Sequence, residues 1–280
     1  MYLRPATLPD ALEALAETRG TILSGGTDLF PALTDPALSG TVIDISSVDE
    51  MKGIHATAEH IFFGGRTTWS EVVKARLPRG FDGLKAAARE IGSVQIQNQA
   101  TVAGNICNAS PAADGVAALM ALDAEVTLAS RDTSRTLPLG QFVHGNRKTG
   151  RRADELLTSI RIPRRLETAA STFLKLGARR YLVISIVMVA ANLVLDAENG
   201  TIRKALICVG SCSPVAVRLT ELERSLVGRP LHNGLQGIMR PEHFAGLAPI
   251  DDVRATAAYR KEAAQMLVKR ALTACAEKAT

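Results

Sequence analysis

Ile91 to Asp114 reads IGSVQIQNQATVAGNICNASPAAD. The stretch has no helical stripe and no clean alternation, although the segments on either side of it are patterned regularly. A long, amide-rich segment of small residues inside a compact domain usually exists to bind something. Within it, Thr101-Val102-Ala103-Gly104-Asn105 sets a hydroxyl among small residues, and Asn108-Ala109-Ser110-Pro111-Ala112-Ala113-Asp114 leads into an apparent helix up to Leu122.

A second loop of the same character lies upstream. Ser24-Gly25-Gly26-Thr27-Asp28 follows directly on the strand-like run Thr21-Ile22-Leu23. Paired glycines there allow positive φ and turn backbone N–H groups toward an anion, and Thr27 adds a hydroxyl. The pattern is neither GxGxxG nor GxxxxGK[ST], which removes the Rossmann and Walker readings. A lone Gly-Gly loop is more often a plain tight turn. Two such loops in one domain point instead to a ligand gripped from both sides, and an extended dinucleotide suits that geometry.

Outward from these loops the chain divides into three sections. In the first, Thr7, Pro9 and the apolar set Ala11, Leu12, Leu15 and Ala16 read as an N-cap, an early-turn proline and a short amphipathic helix. Residues 41–45 read as the next strand. The second section begins near Gly53, with a strand at 60–63, a helix at 68–75 capped by Thr67 or Thr68, and a helix at 83–91. Strands at 125–128 and 156–162 close it, and Pro163-Arg164-Arg165 reads as a linker. The third section offers strands at 171–176, 183–195 and 202–209. The last two are joined by Asp196-Ala197-Glu198-Asn199-Gly200, a hairpin signal. Helical patterns follow at 217–227, 233–245 and 255–276, the last with Ala263, Met266, Leu267 and Leu272 as its buried stripe. No solenoid repeat or low-complexity tract is visible.

Composition narrows the function classes. With 46% hydrophobic and 22% charged residues, the 280-residue chain is an ordinary globular protein, long enough for one large or two modest domains. Its net charge of +5 comes from scattered Lys and Arg, densest at Arg147-Lys148 and Arg151-Arg152. At 4% aromatics, with Trp69 the sole tryptophan, it lacks a nucleic-acid groove signature. The start Met1-Tyr2-Leu3-Arg4-Pro5 has no signal-peptide pattern, and no apolar run reaches membrane-span length, so a cytoplasmic location is the expectation. Cys107, Cys208, Cys212 and Cys275 show no metal-ligand spacing and read as buried thiols; on one strand, Cys208 and Cys212 would share a face. His55, His60, His144, His232 and His243 are dispersed, with no zinc-like spacing, and no Ser-His-Asp or Cys-His arrangement can be drawn. The sequence therefore nominates no catalytic residue and no metal ligand.

The strings SGGTDL at Ser24–Leu29, IGSVQIQNQATVAGNICNASPAAD at Ile91–Asp114, ALDAEV at Ala121–Val126 and DELLTSIRIP at Asp154–Pro163 resemble the flavin subunits of the molybdenum hydroxylases. Carbon monoxide dehydrogenase and the bacterial xanthine and aldehyde dehydrogenases belong to that family, and the resemblance runs over nearly the whole chain. It implies an α+β fold: an FAD-binding domain at 1–165 of the PCMH, or vanillyl-alcohol-oxidase-like, type, with subdomains at about 1–52 and 53–165. A C-terminal domain of three antiparallel strands and helices, 168–280, would follow. It implies FAD contacts at Ile22, Leu23, Ser24, Gly25, Gly26, Thr27, Asp28 and Leu29, and at Thr101, Val102, Ala103, Gly104 and Asn105, the two sets holding the diphosphate. Ile91 would pack on the flavin, Asp114 would bond the cofactor, and Leu157 and Lys175 would touch it. A valine at Gly25 would intrude where the backbone meets the diphosphate.

Two positions depart from the family pattern: Ala103 replaces a usual glycine, and Gln97 a common arginine. The alanine is tolerable where φ is negative. The resemblance further implies a large subunit carrying a molybdopterin-type molybdenum cofactor and a small subunit carrying two [2Fe–2S] clusters, assembled as a dimer of heterotrimers. This chain would then be the electron relay to an acceptor such as NAD, a quinone, a cytochrome, a ferredoxin or oxygen. The alternatives are a stand-alone FAD-dependent oxidoreductase of the same fold and a flavin-free assembly subunit.

Overall fold

The computed structural model describes residues 1–33, 40–231 and 234–279. His232, and Asn233 at the head of the 233–245 pattern, lie outside the described residues. The first layer contains β1 (Tyr2–Leu3), α1 (Leu8–Thr18), β2 (Thr21–Leu23) and β3 (Val42–Asp44), whose strands form a parallel sheet in the order β1-β3-β2. Thr7 caps α1 by accepting from the Asp10 amide, and Arg19 ends it in the left-handed region. Ala11, Leu12 and Leu15 pack on Ile43, Ile45 and Met51, and also on Leu156 from far along the chain. The first layer thus shares its core with the next sheet.

That sheet is antiparallel, in the order β4-β5-β10-β6-β7: β4 (Ile54–Ala56), β5 (His60–Gly64), β6 (Glu125–Ala129), β7 (Ser134–Pro138) and β10 (Leu156–Pro163) at its centre. Between β5 and β6 run α2 (Trp69–Lys74), α3 (Asp82–Glu90), α4 (Val94–Gln99), α5 (Val102–Asn108) and α6 (Asp114–Met120). Between β7 and β10 lie α7 (Leu139–Phe142) and a small hairpin of β8 (Val143–Gly145) and β9 (Lys148–Thr149). The stretch read as lacking helical pattern therefore contains α4 and α5. Each spans fewer than two turns, too short for a 3.6-residue stripe to repeat. Its Ser93 and Thr101 hydroxyls, which accept from the Ile96 and Gly104 amides, are helix caps. Strands β4, β8 and β9 escaped the sequence because they are two or three residues long, and β7 because it is an edge strand with three of its five residues exposed.

The third section is an antiparallel sheet in the order β11-β12-β13-β14: β11 (Ala170–Leu176), β12 (Val187–Leu195), β13 (Ile202–Gly210) and β14 (Val217–Arg218). Helices α8 (Thr220–Leu226) and α9 (Ala257–Ala279) cover one face. The run in β12 is apolar except for Asn192, whose side-chain amide donates to the Ala121 carbonyl at 2.8 Å, because both faces are buried: Met188, Ala190 and Val194 turn toward α6, while Val187, Val189, Ala191 and Leu193 turn toward α9. Four particulars differ from the sequence expectation. The sheet gains the short fourth strand β14 at the start of the 217–227 pattern. Residues 183–186 stand outside β12, with Leu182 in a left-handed turn. The pattern at 233–245 resolves into 3₁₀ turns at Leu235–Ile238 and Pro241–Phe244, proline being unable to continue a helix from within. Of the expected α9 stripe, Ala263, Leu267 and Leu272 are buried as read, while Met266 is exposed and Ala264, Val268, Ala271 and Cys275 complete the buried face. Cys208 and Cys212 lie in different cores, because Ser211 at φ 63° ends the strand between them.

Asp123, in the turn after α6, ties the third section to the middle sheet. Its carboxylate accepts from Arg218 at 3.0 Å, from Arg165 at 3.2 Å and from Lys204. Burial pushes this carboxyl up, but the bonds from Lys204 and Arg218 outweigh burial and hold it below the ordinary 3.8. A carboxyl depressed in the folded state stabilises above its unfolded value and loses that contribution as pH falls through the folded one. Asp123→Asn keeps a residue tolerant of the observed left-handed φ of 50°. It is expected to cost roughly 1–2 kcal/mol at pH 7 and to narrow the difference in Tm between pH 7 and pH 3. An unchanged difference would show that Asp123 does not carry the acid sensitivity.

Candidate functional site

The two small-residue loops meet. A Cβ on Gly25 would sit 1.9 Å from the Gln99 carbonyl oxygen, so only glycine allows the backbones to approach. The Ser24 hydroxyl lies 3.5 Å from that of Thr101. Gly26 stands at φ 69° above the Phe30 ring, a conformation that favours glycine. The second loop is fixed from behind: Trp69 donates to the Ala100 carbonyl and Val102 to the Thr67 carbonyl, a short antiparallel pairing of 67–69 with 100–102. Asp28 links the loops sideways, its carboxylate accepting from Asn108 at 3.1 Å and facing Arg147 at 3.4 Å. Ala103 lies in the first turn of α5 and faces the core, outside the positive-φ residues, so its Cβ carries no backbone penalty.

A cleft of about 300 Å³ opens beside the meeting point, lined by Ser24, Gly25, Thr101 and Asn98, with Lys52 and Arg66 on its wall and Glu71 its one acidic side chain. Hydroxyls and amide donors suit an anionic guest, which Lys52 and Arg66 would face while paired to Asp49 at 3.1 and 3.2 Å.

Ile91, Asp114 and Lys175 form a second group. Asp114 is buried at the start of α6, and its two oxygens accept from Lys175 Nζ and Ser185 Oγ, each at 2.6 Å. Burial pushes the Asp114 carboxyl up from its ordinary value, against the pull of Lys175 and Ser185. Lys175 Nζ also reaches the Glu90 carbonyl at 3.4 Å, next to Ile91. Leu157 is buried in β10, where its carbonyl limits Gly65. Ile22 and Leu23 lie in β2, which delivers the chain to the first loop; Thr27 and Leu29 are half-buried beyond it. Asn105 has a buried side-chain oxygen with no partner. Sequence reasoning missed Ser185, whose signal was a polar residue interrupting an apolar run.

A larger cavity, about 380 Å³, lies at the far end of α6 among His60, Asp123, Glu125, Arg165 and Arg218, and none of the nominated residues lines it. Its Asp123, Glu125 and both arginines are engaged in ion pairs. Burial pushes the thiols of Cys107 up to about 11 and Cys208 to about 12, which keeps them protonated. Among the described residues no three His, Cys, Asp or Glu side chains gather as a metal-holding group, and no helix is long and apolar enough to cross a membrane.

Residues 1–165 match the family model of the FAD binding domain in molybdopterin dehydrogenase, and residues 172–275 that of the CO dehydrogenase flavoprotein C-terminal domain. The chain belongs to the FAD subunits of the molybdopterin dehydrogenases. It is 30% identical to the caffeine dehydrogenase subunit beta of Pseudomonas sp. (strain CBB1), covering 99% of this chain and 95% of that protein. It is also 30% identical to the nicotinate dehydrogenase FAD-subunit of Eubacterium barkeri, covering 96% and 93%. A solved chain of carbon monoxide dehydrogenase from Hydrogenophaga pseudoflava shares the fold at TM-score 0.90 and 24% identity, covering 100% of this chain and 98% of that one. As an FAD subunit of this family the chain is an oxidoreductase component with FAD as its cofactor. The residues present fit such a group: a glycine cradle closed by backbone, converging hydroxyls, and cations beside the cleft.

Proposed function

We propose that this FAD subunit relays electrons from two [2Fe–2S] clusters of a small subunit to an external acceptor, after a substrate is hydroxylated on a large molybdopterin subunit. The observation that carries the reading is the contact of Gly25 with Gln99, which makes one cradle of two loops 74 residues apart. Loop residues Ile22–Leu29 and Thr101–Asn105 would hold the diphosphate through backbone N–H groups and the Ser24 and Thr101 hydroxyls. Ile91 and Leu157 would offer apolar surface to the ring, and the Asp114–Lys175 pair would hold charge and a proton beside it. FAD, when bound, supplies the ability to accept electrons singly and release them as a pair; the protein orients it and tunes its potential. No side chain here is assigned as a general acid or base.

The same reading divides the chain into an FAD-binding domain at 1–165 and a C-terminal domain at 168–280. It sets the chain in a cytoplasmic dimer of heterotrimers. Co-purification under mild conditions with metal and flavin analysis tests it. Molybdenum, iron and FAD are expected in one complex. Recovery of a yellow chain without metal-bearing partners would favour a stand-alone flavoprotein, and a chain that stays colourless with added FAD would favour a flavin-free scaffold.

A further inference from the structure

Three residues of the candidate ring site meet at the C-terminal end of α3. Ile91 caps that helix, Lys175 donates to the Glu90 carbonyl, and Asp114 accepts from Lys175. A helix ends in carbonyls that no helical N–H can satisfy. Here Gln97 Nε2 donates to both the Arg89 and the Ile91 carbonyls, each at 3.1 Å. Two carbonyl acceptors admit only the amide nitrogen, so the orientation of this side chain is fixed by chemistry. Gly92, at φ 56°, reverses the chain directly after Ile91 and leads it into α4.

The burial pattern of α4 is inverted. Val94 is 65% exposed and Ile96 36%, while Gln97 is 8% exposed; it is the only residue of this helix turned fully inward. Burying an amide while apolar neighbours stay in solvent is unfavourable unless its hydrogen bonds matter. We infer that Gln97 is a positioning residue for the flavin: its paired N–H bonds fix the Ile91–Gly92 turn on the end of α3 and so set the surface offered to the ring. The inference rests on the assignment of Ile91 to the ring side made above. The Gln97 side chain is spent on the Arg89 and Ile91 carbonyls and does not line the cleft beside Gly25, so the effect assigned to it is on how the ring is held.

The test uses the full chain stripped of FAD and titrated with it, reading the dissociation constant and the visible circular dichroism of bound flavin. Gln97→Glu keeps the shape but removes both donors, and about tenfold weaker binding with an altered dichroism band is expected, the scale of one lost hydrogen bond. Gln97→Arg restores N–H donors and is expected to bind within about twofold of the original with its band unchanged. Gln97→Leu should behave as Gln97→Glu, and it decides the matter if the charged variant does not fold. The original band and affinity in the donor-less variants would overturn the inference. A lowered melting temperature with an unchanged band would also overturn it, leaving Gln97 a helix cap and nothing more. Failure of the original chain to take up FAD would instead overturn the flavin assignment itself.

Discussion

Gly25→Val is expected to leave the purified chain colourless, with FAD retention reduced by more than tenfold. The reason is sharper than an obstructed diphosphate. A Cβ at this position would lie 1.9 Å from the Gln99 carbonyl oxygen and 2.6 Å from its carbon, where real contacts stay above 3.0 Å. The obstacle is backbone on both sides, so no rotamer relieves it. The loops must part, and the Ser24 and Thr101 hydroxyls, now 3.5 Å apart, part with them. Alanine already brings the offending atom, so Gly25→Ala should lose FAD as well. Gly145→Ala, where nothing lies within 4 Å of the added atom, is the control and should stay yellow. The ratio of flavin absorbance to protein absorbance after gel filtration measures all three. Full occupancy in Gly25→Val would mean that the two loops do not form the cradle.

Lys175→Met is expected to destabilise the protein by about 3–5 kcal/mol, because it strands a buried carboxylate. Asp114 is 5% exposed and has Lys175 and Ser185 as its partners at 2.6 Å; only the lysine balances its charge. Burial already pushes this carboxyl up, and Lys175 heads the interactions that pull it down. Without the lysine the folded-state value rises further. A group raised in the folded state favours folding below its unfolded value, and that advantage disappears as pH climbs through the folded one. The loss in Lys175→Met should therefore be larger at pH 8 than at pH 5, and Asp114→Asn in the same chain should recover part of it. Thermal unfolding at the two pH values reads this. A pH-independent loss would mean that packing of the lysine stem, not its charge, holds the site.

How much of this was legible beforehand differs by element. The helices α1 and α3 were readable because a local period of 3.6 persists long enough to register, and the long strands β10, β12 and β13 because each is an extended, largely apolar run bounded by turn signals. Helices α4 and α5 were not, since their polar caps Ser93 and Thr101 masquerade as loop and α4 buries only the polar Gln97. Among the site residues, the glycines and hydroxyls of both loops were visible as motifs. Ser185 and the role of Gln97 were hidden, because a buried polar residue reveals its purpose only through a partner distant in the chain.

The sequence alone determined the family, the α+β class, two small-residue, hydroxyl-bearing loops, and a chain without metal-ligand spacing. Only the tertiary structure decided that Gly25 is required by Gln99, that Asp114 is held by Lys175 and Ser185, and that Ile91 is pinned by Gln97. Asp114 lies 61 and 71 residues from its two partners. Periodicity and motif spacing report the chemistry of neighbours along the chain. Close approach between distant backbones, and the pairing of buried charges, are set by how the sheets and short helices pack.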